Sequence, residues 1–288
     1  MPGYPIIQLP VKTITDLSQQ TRQDVLAVEE PLEIRIEFGP ADNRQVKNVS
    51  VTMRTPGHDA ELAAGFLFTE GIVKQASDID NISYSFIACA ENKENTIVVS
   101  LDECIVPHLQ NTERNFYTTS SCGVCGKGSI SAIRTAGAMI NDDHNVIDAE
   151  LLYQLPEILR QRQDVFEETG GLHASALFTN VGELLLLRED VGRHNALDKV
   201  IGACLLGQSK LPLSEHILML SGRASFELIQ KAAMAGINII AAVGAPSSLA
   251  VQLAREFNIT LVGFLRNRRF NIYTAGHRIL VPEYEITH

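Results

Sequence analysis

The chain contains no tryptophan, and no apolar run in its 288 residues approaches the length of a membrane span. Crossing the hydrocarbon layer as a helix takes ~20 consecutive apolar residues. The start, MPGYPIIQLPVK, lacks the basic end and apolar block of a secretory signal, so a cytoplasmic protein is expected, with no membrane partner. A Walker-type GxxxxGK[ST] loop is missing, and NTP hydrolysis is not indicated. Basic residues are scarce: 24 Lys and Arg stand against 34 Asp and Glu, a formal net charge of −10. That balance argues against general nucleic-acid binding. The cysteines number five, so a complete disulfide framework cannot close within one chain. No second CxxC and no HxxxH accompanies Cys122 and Cys125, which leaves that pair two ligands short of an ordinary structural zinc site. Internal repeats and low-complexity tracts are also absent.

What is present reads as a globular α/β chain. A hydrophobic share of 45% with 20% charged residues supports a substantial core. Residues 1–30 show no clear periodicity and read as a mobile N-terminal arm. From 31 to 110 the pattern is that of a small α+β domain. "PLEIRIEFG" alternates Leu32, Ile34, Ile36 and Phe38 with charges, as a half-buried strand does. "QVKNVSVTMRT" can pair with it, and "NISYSFIACA" and "NTIVVSLDE" are further strands. "TPGHDAELAAGFLFTEGIV" is a helix capped by Asp59 and followed by Gly71. Residues 111–127 are polar, a linker that carries the CxxC loop. Residues 128–288 form an α/β domain. It opens with a helix from about Ser129 and another near 150–168. A hairpin follows, "HASALFTN" with "ELLLLRE", and then strands alternate with amphipathic helices. That rhythm implies a largely parallel, two-sided sheet.

In an open α/β sheet, ligands bind beyond the carboxyl ends of the strands. Three successive strands here end in loops suited to phosphate. "HILML" leads into Ser221, Gly222, Arg223 and Ser225 at a helix start. "INIIAAV" leads into "GAPSS", with Pro246 in the first helical turn. "ITLVGFL" leads into Arg266, Asn267, Arg268 and Arg269. Helix N-termini welcome anions, and Arg adds bidentate bonds to phosphate. The span Arg255 to Arg278 holds five arginines and one acid, Glu256, in an otherwise acidic protein. Together the three loops suit a phosphorylated ligand such as a nucleotide or pyrophosphate. The "REDVGRHNALD" stretch packs Glu189, Asp190, Arg193, His194 and Asn195 around a helix start, and both capping with local ion pairs and a place at a site stay open for it. His173 and His58 read as turn or cap residues, and Cys89 and Cys204 as small buried hydrophobes.

For Cys122 and Cys125 three chemistries stay open: a zinc clip, a dithiol oxidoreductase, and a carrier of sulfur. Glycines flank the pair and a polar stretch precedes it, unlike the strand-to-helix setting of a thioredoxin-like dithiol. Thiolate attack on a sulfur–sulfur bond needs access and a lowered pKa. Lys127 and the nearby helix start can supply the second. This favours transfer through a persulfide to a phosphorylated acceptor.

Six stretches then carry a family resemblance: "TPGHDAELAAGFLFTEGI", "SSCGVCGKGS", "TGGLHASALF", "EDVGRHNALDKVIGA", "LSGRASFELIQKAAMAGI" and "GFLRNRRFNIYT". In that order they resemble the FdhD/NarQ family. The resemblance implies a three-layer, cytidine-deaminase-like C-terminal domain beside a smaller α+β N-terminal one. It implies a sulfur carrier, a sulfurtransferase with a cysteine persulfide intermediate, needed for active formate dehydrogenase. Its partners would be a cysteine desulfurase, the formate dehydrogenase apoenzyme and a molybdenum bis(molybdopterin guanine dinucleotide) cofactor, bound as sulfur acceptor. No zinc is expected. Cys122 matches the persulfide-bearing position and Cys125 its partner. Phe264, Leu265, Arg266, Asn267, Arg268 and Arg269 match the segment assigned to the cofactor. A homodimer is compatible with a cofactor of two similar halves. Deamination fails on residue grounds, because His173-Ala174-Ser175 has Ser where zinc deaminases place their catalytic Glu.

Overall fold

A computed structural model describes residues 4–85, 95–107, 145–208 and 211–282. Cys89, Cys122, Cys125 and the helix expected from Ser129 lie outside these residues. The first segment, expected as an arm, pairs as a hairpin of β1 (Ile6–Thr15) and β2 (Ser18–Ala27). Most of its side chains are exposed on both faces, so it carries no apolar alternation to read.

β3 (Glu30–Phe38) and β4 (Gln45–Arg54) are antiparallel, and β6 (Thr96–Leu101) runs parallel to β3. β5 (Ile79–Tyr84) closes the order β4-β3-β6-β5. The alternation does what period two predicts: Leu32, Ile34, Ile36, Ile97, Val99 and Leu101 point to one buried face. Against that face lies α1 (Asp59–Thr69). Its N-cap is His58, held at φ 59°, and not Asp59 as the sequence suggests. The Asp59 carboxylate is engaged elsewhere. It takes both Arg54 Nε at 3.0 Å and Arg54 Nη2 at 2.9 Å, out of water, and it accepts from the half-buried Tyr84 Oη at 3.0 Å.

The second sheet has six strands: β8 (His173–Thr179), β9 (Leu184–Asp190), β10 (His216–Leu220), β11 (Ile239–Ala242), β12 (Thr260–Arg266) and β13 (Arg269–Thr274). Their order is β13-β12-β11-β10-β8-β9. Only β10, β11 and β12 are mutually parallel, whereas β8–β9, β8–β10 and β12–β13 pair antiparallel. The expectation of a largely parallel sheet is therefore corrected to a mixed one, because both flanks are built by hairpin-like returns. Helices cover both faces. α2 (Ala149–Gln161) packs Leu152, Leu155 and Leu159 on Ala176, Phe178, Ile217 and Met219, with α3 (Asp164–Thr169) following it. On the other face are α4 (Arg193–Ala203), α5 (Phe226–Met234) and α6 (Ser248–Glu256). A short parallel pair, β7 (Ile147–Asp148) with β14 (Ile279–Leu280), ties off the edge. Pro246 precedes the Ser247 cap of α6 instead of entering its first turn.

One apolar core runs from β3 and β6 through α1 into α4–α6 and the second sheet. Its narrowest point is the crossing of α1 and α4. A Cβ added at Gly65 would lie 1.9 Å from the Asp198 carbonyl oxygen, and one at Gly202 would lie 1.8 Å from that of Glu61. The two backbones touch. Beside the crossing, Lys231 Nζ meets Asp198 at 2.8 Å while Thr69 Oγ1 donates to the same carboxylate at 2.9 Å. Removing one member of such a buried pair leaves an uncompensated charge, at a cost of about 3–5 kcal/mol. Any side chain at the crossing must push the helices apart. Gly65→Ala is expected to lower stability by about 3 kcal/mol, at the upper end for an overpacked core, as read from the denaturation midpoint. An unchanged midpoint would contradict the contact.

Candidate functional site

The site is built by the loops that leave β10, β11 and β12, laced to one another by backbone bonds. Val243 N donates to Leu220 O at 3.1 Å, Gly244 N to Gly222 O at 3.0 Å, and Phe264 N to Gly244 O at 3.1 Å. On the far side Ser221 N donates to Ala174 O at 3.0 Å, and Ala174 N returns the bond to Ser221 Oγ at 2.8 Å. The rim thus continues the sheet by about one residue per strand. Gly244 makes this possible, since a Cβ there would stand 3.0 Å from both the backbone and the side chain of Arg223.

Above the rim lies a cavity of about 710 Å³, within the range of small-molecule and cofactor pockets. Its floor is Ser221, Gly222, Val243 and Leu265. One wall is the Arg266–Asn267–Arg268 segment, and the other is α2 with the chain through α3 to His173. Arg266 pairs with Arg269 across a two-residue turn in which Asn267 and Arg268 both adopt φ 53°. Positive φ at both central positions is the pattern of a type I′ hairpin. Phe264 also sits at positive φ, 56°, where the β12–β13 register shifts. An unpaired L-residue in the left-handed region is strained by about 1–2 kcal/mol, and such strain gathers where function requires a fixed backbone.

The cations differ in freedom. Arg268 is tied to Glu150 at 2.9 Å and lies 5.0 Å over the Tyr153 ring. Both partners of that ion pair are exposed, so it is weak and readily exchanged for another anion. Arg266 is exposed and has no ion-pair or hydrogen-bond partner among the described residues. Arg160, on α2, stacks 4.3 Å from the Phe166 ring at the cavity wall.

At the other end is His173, half-buried. Burial first, then the guanidiniums of Arg193 and Arg223, hold its imidazole below the usual range, which keeps it neutral at neutral pH. Ser225 caps nothing with its side chain; its Oγ instead meets His194 Nε2 at 3.2 Å. The hydrogen bond from His194, which outweighs burial, holds Glu227 down to about 2.

Of the residues expected from sequence, Ser221, Gly222, Leu265, Arg266, Asn267 and Arg268 all line the cavity. Phe264, Arg269, Arg223 and Ser225 stand next to it without lining it. Cys122 and Cys125 fall outside the described residues. Cys204 is buried as expected, its thiol pushed up to about 11 by desolvation. A sequence model described as the FdhD/NarQ family matches residues 27–280. The chain belongs to the FdhD/NarQ family. FdhD/NarQ relatives cover nearly its whole length. "Sulfur carrier protein FdhD" of Streptomyces avermitilis is 51% identical over 271 residues, 92% of this chain and 93% of that one. The protein of the same description from Mycobacterium tuberculosis is 46% identical over 283 residues, 96% and 99% of the two chains. A crystal structure of a candidate formate dehydrogenase accessory protein from Desulfotalea psychrophila shares 26% identity. It superposes with a TM-score of 0.72, covering 96% of this chain and 100% of that one.

Sequence reasoning missed the α2 wall of this candidate site. Tyr153, Pro156, Glu157 and Arg160 follow helical spacing and face the cavity. The signal was that polar face at i, i+3, i+4 and i+7, opposite the leucines. His173, read as a turn residue, opens β8 and lines the cavity.

The turn separates stability from binding. Arg268→Gly puts the residue best suited to φ 53° at its position. It is expected to leave the melting temperature unchanged or raise it by up to about 1 kcal/mol of stability. Binding of a phosphorylated ligand should weaken, as read by calorimetry. A destabilised variant, or one that binds as tightly as before, would contradict this.

Proposed function

We propose that this chain is a sulfur carrier serving formate dehydrogenase. The observation that carries the reading is the arginine-bearing cavity at the ends of β10–β12, in a chain whose FdhD relatives bear the description sulfur carrier protein. Cys122 is the carrier. Its thiolate attacks the persulfide of a cysteine desulfurase, takes the terminal sulfur and releases the desulfurase thiolate. The sulfur–sulfur bond then breaks with its electron pair left on Cys122, which is a thiolate again, and the outer sulfur passes as a zero-valent atom to the acceptor, the molybdenum bis(molybdopterin guanine dinucleotide) cofactor, whose reduced metal would supply the two electrons that take it to the sulfide level. Cys125 assists as its partner in the CxxC loop.

The cavity's chemistry fits a guanine dinucleotide. Arg266, unpaired among the described residues, offers a guanidinium for pyrophosphate, Arg268 can exchange Glu150 for it, and the Phe264–Arg269 turn holds both in place. Tyr153 and Phe166 line the cavity with one ring face each under Arg268 and Arg160, and add aromatic surface that a base can contact. Ser221, Gly222, Arg223 and Ser225 complete the rim. A cytoplasmic setting, delivery to the formate dehydrogenase apoenzyme and a homodimer with two such cavities belong to the same reading. So do the cytidine-deaminase-like description of the C-terminal part and the division into arm, α+β domain, CxxC linker and α/β domain.

Incubation with desulfurase and cysteine should add the mass of one sulfur atom at Cys122, and Cys122→Ala should abolish the gain. No gain, with stoichiometric zinc lost in Cys122→Ser, would favour a zinc-stabilised nucleotide module. Equal need for both cysteines in reducing a disulfide would favour an oxidoreductase.

Arg266→Ala and Arg268→Ala should each weaken guanine nucleotide binding, more at low salt than at high salt, because exposed charges are screened within about 10 Å at 0.1 M. The Arg266 change should be the larger, since Arg268 must first leave Glu150. Unchanged affinity in both would remove the turn from the site.

A further inference from the structure

At its other end the cavity is lined by His173, and two cations that the turn does not explain, Arg193 and Arg223, stand beside that histidine without lining the cavity. Both guanidiniums act on the same imidazole, and the position a Gly222 Cβ would take is 3.3 Å from His173 Nδ1 and 3.7 Å from Arg193 Cδ. Nearby carboxylates do not neutralise them. Asp190 is spent on Lys199 at 2.7 Å, and Glu189 on the backbone N–H groups of Val165 and Phe166 at 3.0 and 2.9 Å. Glu227 faces His194. Arg193 and Arg223 have no hydrogen-bond or ion-pair partner among the described residues. The 11-residue helix α4 also starts here with neither a side-chain cap nor an acid in its first turn, which adds positive potential to the cations, whereas the start of α5 is met by Glu227.

Like charges held together without a counter-charge repel, and an arriving anion relieves that repulsion. The two ends are far apart. His173 on β8 stands three strands from β12, which at about 4.8 Å per step gives roughly 14 Å, while Arg223 follows β10, two strands away, at roughly 10 Å. A diphosphate seated at the turn does not extend to His173.

We propose that His173, Arg193 and Arg223 form a second anion subsite, so that the cavity takes an elongated ligand with a nucleotide phosphate at the Arg266 turn and another anionic group at the β8 end. This rests on the sulfur-carrier reading and orients its acceptor. The guanine nucleotide lies toward the turn, α2 and Tyr153, and the sulfur-receiving head lies against His173. The neutral imidazole gives that head a hydrogen-bonding partner without adding a third charge.

The test is calorimetry with two probes, GDP and inorganic phosphate, on the full chain. GDP should bind the wild type, weaken in Arg266→Ala, and change less than about twofold in Arg193→Gln. Phosphate titrated into GDP-saturated protein should still bind. Arg193→Gln and Arg223→Gln should each lose roughly tenfold of that affinity, the expected size for a charge-assisted bond, and Arg223→Lys should recover part of it. Equal melting temperatures show that the variants fold. Failure of GDP to bind the wild type counts against the nucleotide reading alone. The subsite is then judged on phosphate binding to the free protein, where loss in Arg193→Gln and Arg223→Gln supports it. The proposal is overturned if GDP-saturated wild type takes up no phosphate, or if both glutamine variants bind phosphate as the wild type does.

Discussion

Everything at the rim depends on two helix backbones meeting without side chains between them. Where α1 crosses α4, Gly65 and Gly202 let the main chains touch. That contact presses the N-terminal sheet against the start of α4. Around it the polar groups are spent locally. Lys199 donates to Thr55 O at 3.0 Å as well as pairing with Asp190, and Asn195 donates to Met53 O at 2.7 Å and to Asp190 at 3.0 Å. Thr55 N donates in turn to Asp190 at 3.2 Å. The end of β4 and the start of α4 are thereby one rigid piece, and Arg193 and His194 are the first residues to emerge from it.

This arrangement sorts charge by sign. Carboxylates are consumed in structure: Asp59 on Arg54, Asp198 on Lys231, Asp190 on Lys199. Guanidiniums at the cavity are left over. An acidic protein can therefore present cations at this cavity, because Asp59, Asp190 and Asp198 are buried in pairs while Arg193, Arg223 and Arg266 have no such partner among the described residues. Low-dielectric surroundings strengthen both effects, raising the cost of breaking a pair and the gain from binding an anion.

The strands were legible where burial is one-sided or complete, as in Leu32-Ile34-Ile36 and "INIIAAV", since alternation and apolar runs are direct products of packing. The phosphate loops were legible because they must follow those strands. Three things were not. Asp198, Lys199 and Lys231 are polar yet buried, and their partners, Thr55 and Thr69, are more than 120 residues away in sequence. The hairpin of residues 6–27 is wet on both faces, so no period marks it. The His58 cap depends on a left-handed backbone, which no side-chain pattern announces. The cavity's second wall escaped because a helix read for its leucines hides its opposite face.

The central claim is that a guanine nucleotide occupies the cavity over β10–β12 with its phosphates at the Arg266–Arg268 turn. A crystal structure with GDP tests it most directly. The account predicts phosphate oxygens within hydrogen-bonding distance of Arg266 and the base against Tyr153 or Phe166. GDP seated outside this cavity, with the turn untouched, would contradict it.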